Sequence, residues 1–181
     1  MPVALTLAIA CALLLCWAVG AYNRLVRLRS RARQAFAQLL VQLRRRQALA
    51  ERVAGQLTVE PAAAVAAAAG VAPGGLIAAA RQFGAALSAA HERPLEVDAL
   101  RSLGAADAVL TLAWDRHVSD SAQNAVDEEQ ATQWHAVAAG QAHANAQFEE
   151  TAALYNASIA QFPASIIAAL FGLRRAGALQ P

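Results

Sequence analysis

The chain carries few side chains capable of chemistry, and their spacing argues against most of it. The histidines are His91, His117, His135 and His143. His135 and His143 stand eight positions apart, about 12 Å by helical rise alone, too far to share one metal ion. His91, beside Glu92, and His117 have no second ligand at metal-binding spacing. The adjacent acids Glu149-Glu150 and Asp127-Glu128-Glu129 point to different sides of a helix and read as solvated surface, not as an acid–base pair. No phosphate loop, dinucleotide glycine pattern, nucleophile elbow or zinc spacing occurs, and Gly74-Gly75 marks only a turn. Cys11 and Cys16 are the only cysteines and both lie in an apolar stretch, too few and too badly placed for a disulfide framework or a zinc site. The expectation is a non-enzymatic protein with no catalytic residue, no cofactor, no metal site and no small-molecule substrate.

The remaining chemistry is anion contact. Arg24, Arg27, Arg29, Arg31 and Arg33 form a basic ladder, and Tyr22–Leu57 as a whole holds nine arginines against the single acid Glu51, a charge of +8. His91–Glu150 holds three arginines against eleven acids, a charge of −8, so the net charge of +2 conceals two opposed segments. Segments of opposite sign neutralise each other within one fold. The ladder also lacks interleaved aromatics, so nucleic acid is not expected as a partner. Lipid headgroups are, because of what precedes the ladder.

Val3–Ala21 reads as nineteen residues without a charge, with Thr6 as its conventional polar side chain. As a helix it is roughly 28 Å long, the hydrocarbon thickness of a bilayer. Trp17 and Tyr22 fall where amphipathic rings meet the interface. Rival readings are a secretory signal cut near Ala18-Val19-Gly20, lipoprotein processing at Cys11, and a buried core helix. A signal peptide needs positive charge before its apolar core, and here the charge follows. The ladder places the bulk of the chain in the cytoplasm and the N-terminus outside.

The elements that position these groups are helical. Hydrophobic residues make up 57% of the 181, charged residues 15%, and the apolar excess is alanine, which favours helix over sheet. From Tyr22 to Leu57 the residues Leu25, Leu28, Ala32, Phe36, Leu39, Leu43, Ala50, Val53 and Leu57 recur at helical spacing and predict one long helix continuous with the anchor. Residues 58–75 read as a connection with one short helical piece. A helix is expected over Leu76–Glu92, ended by Pro94, and another over Leu95–Val118, with a possible break at Gly104. Ser119-Asp120-Ser121 supplies cap chemistry for a second long helix over Ser121–Gln161. Its stripe is Trp134, Ala138, Gln141, Asn145, Phe148, Ala152, Tyr155 and Ile159. Gln141 and Asn145 leave two readings open, register-setting hydrogen bonds in the core or solvated positions.

The fold class is therefore all-α: an antiparallel up-down four-helix bundle with two long helices, preceded by a single N-terminal transmembrane helix. The parts are an anchor over 1–21, a bundle over 22–163, and a short apolar helix and tail over 164–181. Antiparallel pairing of the long helices sets Arg33 opposite Glu150 and Arg52 opposite Glu129. In the last part Ile166, Ile167, Leu170 and Phe171 face lipid with Arg174 and Arg175 at the headgroups, or else the segment closes the bundle end.

Three stretches resemble the LemA family of bacterial membrane-anchored helical proteins. Tyr22-Asn23-Arg24-Leu25-Val26 matches its opening after the anchor, and Ala35-Phe36 with Gln42-Leu43-Arg44-Arg45-Arg46 its next signposts. Tyr155-Asn156, Ile159, Phe162-Pro163 and Phe171-Gly172 match its closing motif. The middle diverges: Gln47-Ala48-Leu49-Ala50-Glu51-Arg52-Val53 replaces the family's Asp-Leu-Ile-Pro-Asn-Leu-Val. The resemblance implies a divergent member in the bacterial inner membrane, a bundle on a single-pass anchor acting as an interaction or scaffold protein of the envelope in membrane stress or organisation. Its partners are then the bilayer and another membrane or cytosolic protein. The alternatives are an accessory subunit of a membrane protease or other envelope enzyme, and a periplasmic soluble bundle after signal cleavage.

Overall fold

A computed structural model describes residues 2–59, 74–121 and 128–179, and all five of its helices are α-helices, with no strand among the described residues. They are α1 (Pro2–Val59), α2 (Gly74–Glu92), α3 (Val97–Ser121), α4 (Glu128–Ala160) and α5 (Ala164–Leu170). The short helical piece expected within 58–75 lies outside the described residues.

α1 runs 58 residues without a break, so the apolar stretch and the striped segment after it are one rod, as the periodicity predicts. Gly20 does not interrupt it, because flanking alanines and leucines favour helix enough to carry an isolated glycine. α3 likewise passes through Gly104 unbroken. Leu100, Leu103, Ala106 and Leu110 around it are all buried, and that apolar stripe outweighs the roughly 1 kcal/mol that glycine costs a helix. One boundary differs from expectation: Ser119, Asp120 and Ser121 end α3 instead of capping the next helix, and α4 begins at Glu128.

The core is one cluster. Leu25, Ala32, Phe36, Leu39, Leu43 and Val53 of α1 meet Phe83 of α2, Leu100 and Leu110 of α3, and Phe148 and Tyr155 of α4. α1 and α4 run antiparallel: Phe36 packs on Phe148 with ring centroids 5.4 Å apart, Gln42 lies against Gly140, and Gln130 donates to Gln56 at 3.0 Å. The expected register is thus correct to within a helical turn, but its charge pairs do not form. Arg33, Glu150, Arg52 and Glu129 are all exposed, and the ion pairs among the described residues are Arg46–Asp107, Arg93–Glu96 and Arg101–Asp98. Exposed long side chains gain too little from pairing to be held together.

After α4 the chain turns at Phe162–Pro163, a cis peptide, and α5 leaves at 96° to α4. Gly172, at φ +64°, reverses the chain once more. The tail that follows is pinned although it has no regular structure. The Tyr155 hydroxyl donates to the Arg174 carbonyl at 2.9 Å. The Asn156 amide donates to the Ala176 carbonyl at 2.9 Å and its oxygen accepts from the Ala176 N–H at 2.8 Å. The Gly177 N–H donates to the Leu95 carbonyl at 3.0 Å. At Gly177 a Cβ would stand 2.8 Å from Val97 Cα and 3.3 Å from the Glu96 carbonyl, so only glycine fits. Gly177→Ala is expected to detach the tail: tryptic cleavage after the exposed Arg174 and Arg175 should accelerate by about tenfold or more, with cleavage after Arg81 unchanged.

Candidate membrane-proximal site

The chemistry of the molecule gathers at two levels along α1. At the base, Val3–Trp17 is exposed throughout, and α1 is the one helix among the described residues that is by itself long and apolar enough to cross a membrane. Contact with the rest of the fold starts at Ala18, Ala21 and Tyr22 and becomes full burial at Leu25. Tyr22 meets Phe171, just past α5, with ring centroids 4.6 Å apart. A crevice of about 250 Å³ opens beside it between Trp17 and Arg24 of α1 and Ser158, Gln161, Phe162 and Pro163 of the α4–α5 corner.

The expected interface residues divide by helical phase. Trp17, Arg24, Arg27, Arg31 and Arg33 are exposed, while Arg29 and Tyr22 are half-buried. In α5, Ile166 and Leu170 are exposed at 60% and 78%, and Phe171 at 56%, but Ile167 at 8% is turned inward with Ala168 onto the core. This segment thus turns one face onto the core and leaves the other open, and Ile167 departs from the expected lipid-facing set. Ala164 and Leu173 flank it against the core.

The motif residues have structural work. Leu25, Phe36, Leu43 and Ile159 are core, Tyr155 and Asn156 hold the tail, and Pro163 and Gly172 shape its turns. Asn23 and Arg45 are exposed, and Phe162 at 81% is the most exposed large apolar side chain in the molecule's described part. Burial pushes the Tyr155 phenol upward, with the Arg29 and Arg33 cations opposing in part.

The second level lies at Arg46, which sequence reasoning placed in a basic motif and the structure places in the core at 5% exposure. Its guanidinium donates to Gln141 Oε1 at 2.8 Å and to the Thr111 hydroxyl at 2.6 Å, and stands 3.5 Å from Asp107 Oδ1. Gln141 in turn donates to Asp107 Oδ2 at 2.7 Å. The guanidinium carbon lies 4.3 Å from the Trp134 ring centroid, and Trp134 stacks on Trp114 at 4.1 Å and 7°. Burial lowers the Arg46 pKa, and the carboxylates of Asp107 and Asp115 oppose that shift. The signal was present in the seven-residue gap of the stripe between Leu43 and Ala50, which leaves a helical position at 46. Of the two polar stripe members, Gln141 is a core hydrogen-bonding residue, and Asn145 is half-buried, its amide donating to Glu149.

Among the described residues no group of three or more His, Cys, Asp or Glu side chains could hold a metal ion. His91, His135 and His143 are exposed, and His117 lies edge-on to Trp114 at 6.2 Å.

Two outcomes follow. Asp107→Ala strands a buried cation and should lower unfolding free energy by about 3–5 kcal/mol, whereas Arg46→Met with Asp107→Leu should recover most of that loss. Asp98→Ala, which removes an exposed pair with Arg101, should change it by less than about 0.5 kcal/mol. Urea unfolding of the full chain in detergent, followed by tryptophan fluorescence, measures all three. For Tyr155 the folded pKa is the higher one, so the neutral hydroxyl's stabilisation is complete below about pH 10 and is lost as pH rises through the folded value. Between about pH 9 and pH 11.5 the urea midpoint should therefore fall further in the wild type than in Tyr155→Phe.

Comparison of the chain with protein-family models, with curated proteins and with solved structures finds no match.

Proposed function

We propose that this protein is a membrane-anchored helical scaffold: an up-down antiparallel four-helix bundle carried on a single-pass anchor, docking another protein at the membrane rather than catalysing a reaction. The observation that carries this reading is the continuity of α1, whose N-terminal stretch Val3–Cys16 is uncharged and exposed throughout while the helix from Leu25 onward is the spine of the core. A helix that is apolar all round calls for lipid or a protein cover, and one striped helix for a bundle. The basic ladder immediately after the apolar stretch supports a cytoplasmic bundle with the N-terminus outside.

The residues behind the LemA resemblance support the same reading. Tyr22 and the Tyr155-Asn156 pair build the base of the bundle, where an anchored protein needs its chain ends fixed. On this reading the site is the bacterial inner membrane, and the bundle surface receives a membrane or cytosolic partner. Cleavage at Gly20 would sever a continuous helix at the point where Ala18 and Ala21 already pack on the core, which weighs against a soluble periplasmic product.

Topology and processing, read together, test the proposal. Reporters active only in the periplasm or only in the cytoplasm are fused after Pro181, and the mature N-terminus is sequenced. A cytoplasmic signal with the N-terminus intact at Met1 or Pro2 is expected. A periplasmic signal would reverse the orientation, and a start near Ala21 would remove the anchor from the mechanism.

A further inference from the structure

The base of the bundle carries an apolar line that the anchor does not explain. Phe162, Ile166 and Leu170 are spaced four residues apart and exposed at 81%, 60% and 78%, whereas Ile167 and Ala168 on the other face are buried. Ile166 and Leu170 share one face of α5 and Phe162 stands in the turn ahead of it; three large side chains open to solvent at one corner mark a surface with an external partner. Its position identifies the partner. α4 runs antiparallel to α1, and α5 leaves α4 at 96°, so α5 lies across the axis of α1. A helix across the axis of a membrane-crossing rod lies in the plane of the membrane. The contact of Phe171 with Tyr22 sets that plane just where the apolar stretch of α1 ends, and Trp17 shares a crevice with Phe162. The row is therefore continuous with the apolar surface of the anchor.

Charge supports the same partner. Neither Val3–Ala50 nor Thr151–Leu179 contains an acidic residue, while Arg24, Arg27, Arg31, Arg174 and Arg175 are all exposed there. The acids Glu92, Glu96 and Asp98 lie at the end of α2, in the α2–α3 connection and in the first turn of α3, where the Gly177 N–H donates to the Leu95 carbonyl. An end that joins exposed apolar side chains to uncompensated arginines is complementary to an anionic leaflet, apolar below and phosphate above.

We propose that the α4–α5 corner is a second membrane contact, with Phe162, Ile166 and Leu170 entering an anionic phospholipid leaflet beside the anchor while Arg24 and Arg174 meet the headgroup phosphates. This rests on the reading of α1 as a membrane anchor. The bundle is then held at two points on the bilayer, one spanning and one lying in the interface.

The test uses the full chain in a Cys11→Ser, Cys16→Ser background, with single cysteines at Leu7→Cys, Leu154→Cys or Leu170→Cys. Each is labelled with an environment-sensitive dye and reconstituted in nanodiscs of phosphatidylcholine and phosphatidylglycerol containing doxyl-labelled lipid. Leu154 is exposed on α4, two turns from the corner, and so separates insertion from mere proximity. Quenching at position 170 comparable with position 7, and at least about threefold above position 154, is expected, falling when phosphatidylglycerol is omitted. Strong quenching at 7 with 170 no better than 154 overturns the second contact and leaves the anchor standing. Absence of quenching at 7 overturns both. Blue-shifted but unquenched emission at 170 assigns the row to a protein partner or a second copy and overturns the lipid contact, and quenching that is indifferent to phosphatidylglycerol overturns the arginine–headgroup part.

Discussion

A guanidinium cannot leave water without its charge being answered, and Arg46 leaves water at the middle of the fold. α3 packs closely on α2 but stands off from α1 and α4, and large side chains fill the space between. Arg46 from α1, Asp107 and Thr111 from α3 and Gln141 from α4 meet there, roofed by the stacked pair Trp114 and Trp134. Removing any one of them leaves another polar group unanswered. A core of alanine and leucine alone tolerates sliding by one turn, since its stripes look alike at each step; a single buried cation with fixed acceptors does not. The pairing of three helices is thus specified by a polar contact, whereas their affinity comes from the apolar stripe around Phe36, Phe83 and Phe148.

α1 distributes the consequences. It is the common surface for α2, α4 and α5, and it contributes both the arginine of the central cluster and the apolar stretch at the base. Helical phase sorts its basic run. Arg44 and Arg45 project to solvent while Arg46, one step further, falls on the line from Leu43 to Ala50. Nearer the apolar stretch, Arg24, Arg27 and Arg31 are exposed, while Arg29 and Arg33 lie close enough to Tyr155 to act on its phenol. One stretch of identical residue type therefore serves the core, the tail clasp and the surface.

Period explains what the chain discloses before folding. α1, α2 and α4 were legible because apolar residues recur every three or four positions and prolines mark the ends. The central cluster was not, since Asp107 and Thr111 look like surface positions until α3 is placed against Arg46. The tail was not either: Leu173–Leu179 has no period, and its anchors Tyr155 and Asn156 lie nineteen and twenty residues away. Up-down order gave the antiparallel orientation of α1 and α4, but the charge pairs it set opposite each other do not form, because the aligned arginines and acids stay in solvent. The Arg46–Gln141 hydrogen bond fixes that register instead, and the packing of Phe36 on Phe148 is in step with it.

The absence of any linker between the apolar half of α1 and its core half makes the molecule a lever. A flexible joint would let the bundle tumble independently of whatever holds the first half; an unbroken helix transmits angle. Where α1 crosses a bilayer, its tilt follows the hydrocarbon thickness. From Tyr22 to Val59 the rod extends roughly 57 Å, so a tilt of about 10° swings its distal end sideways by about 10 Å. On the anchored reading, bilayer thickness is converted into the position of a surface far from the lipid.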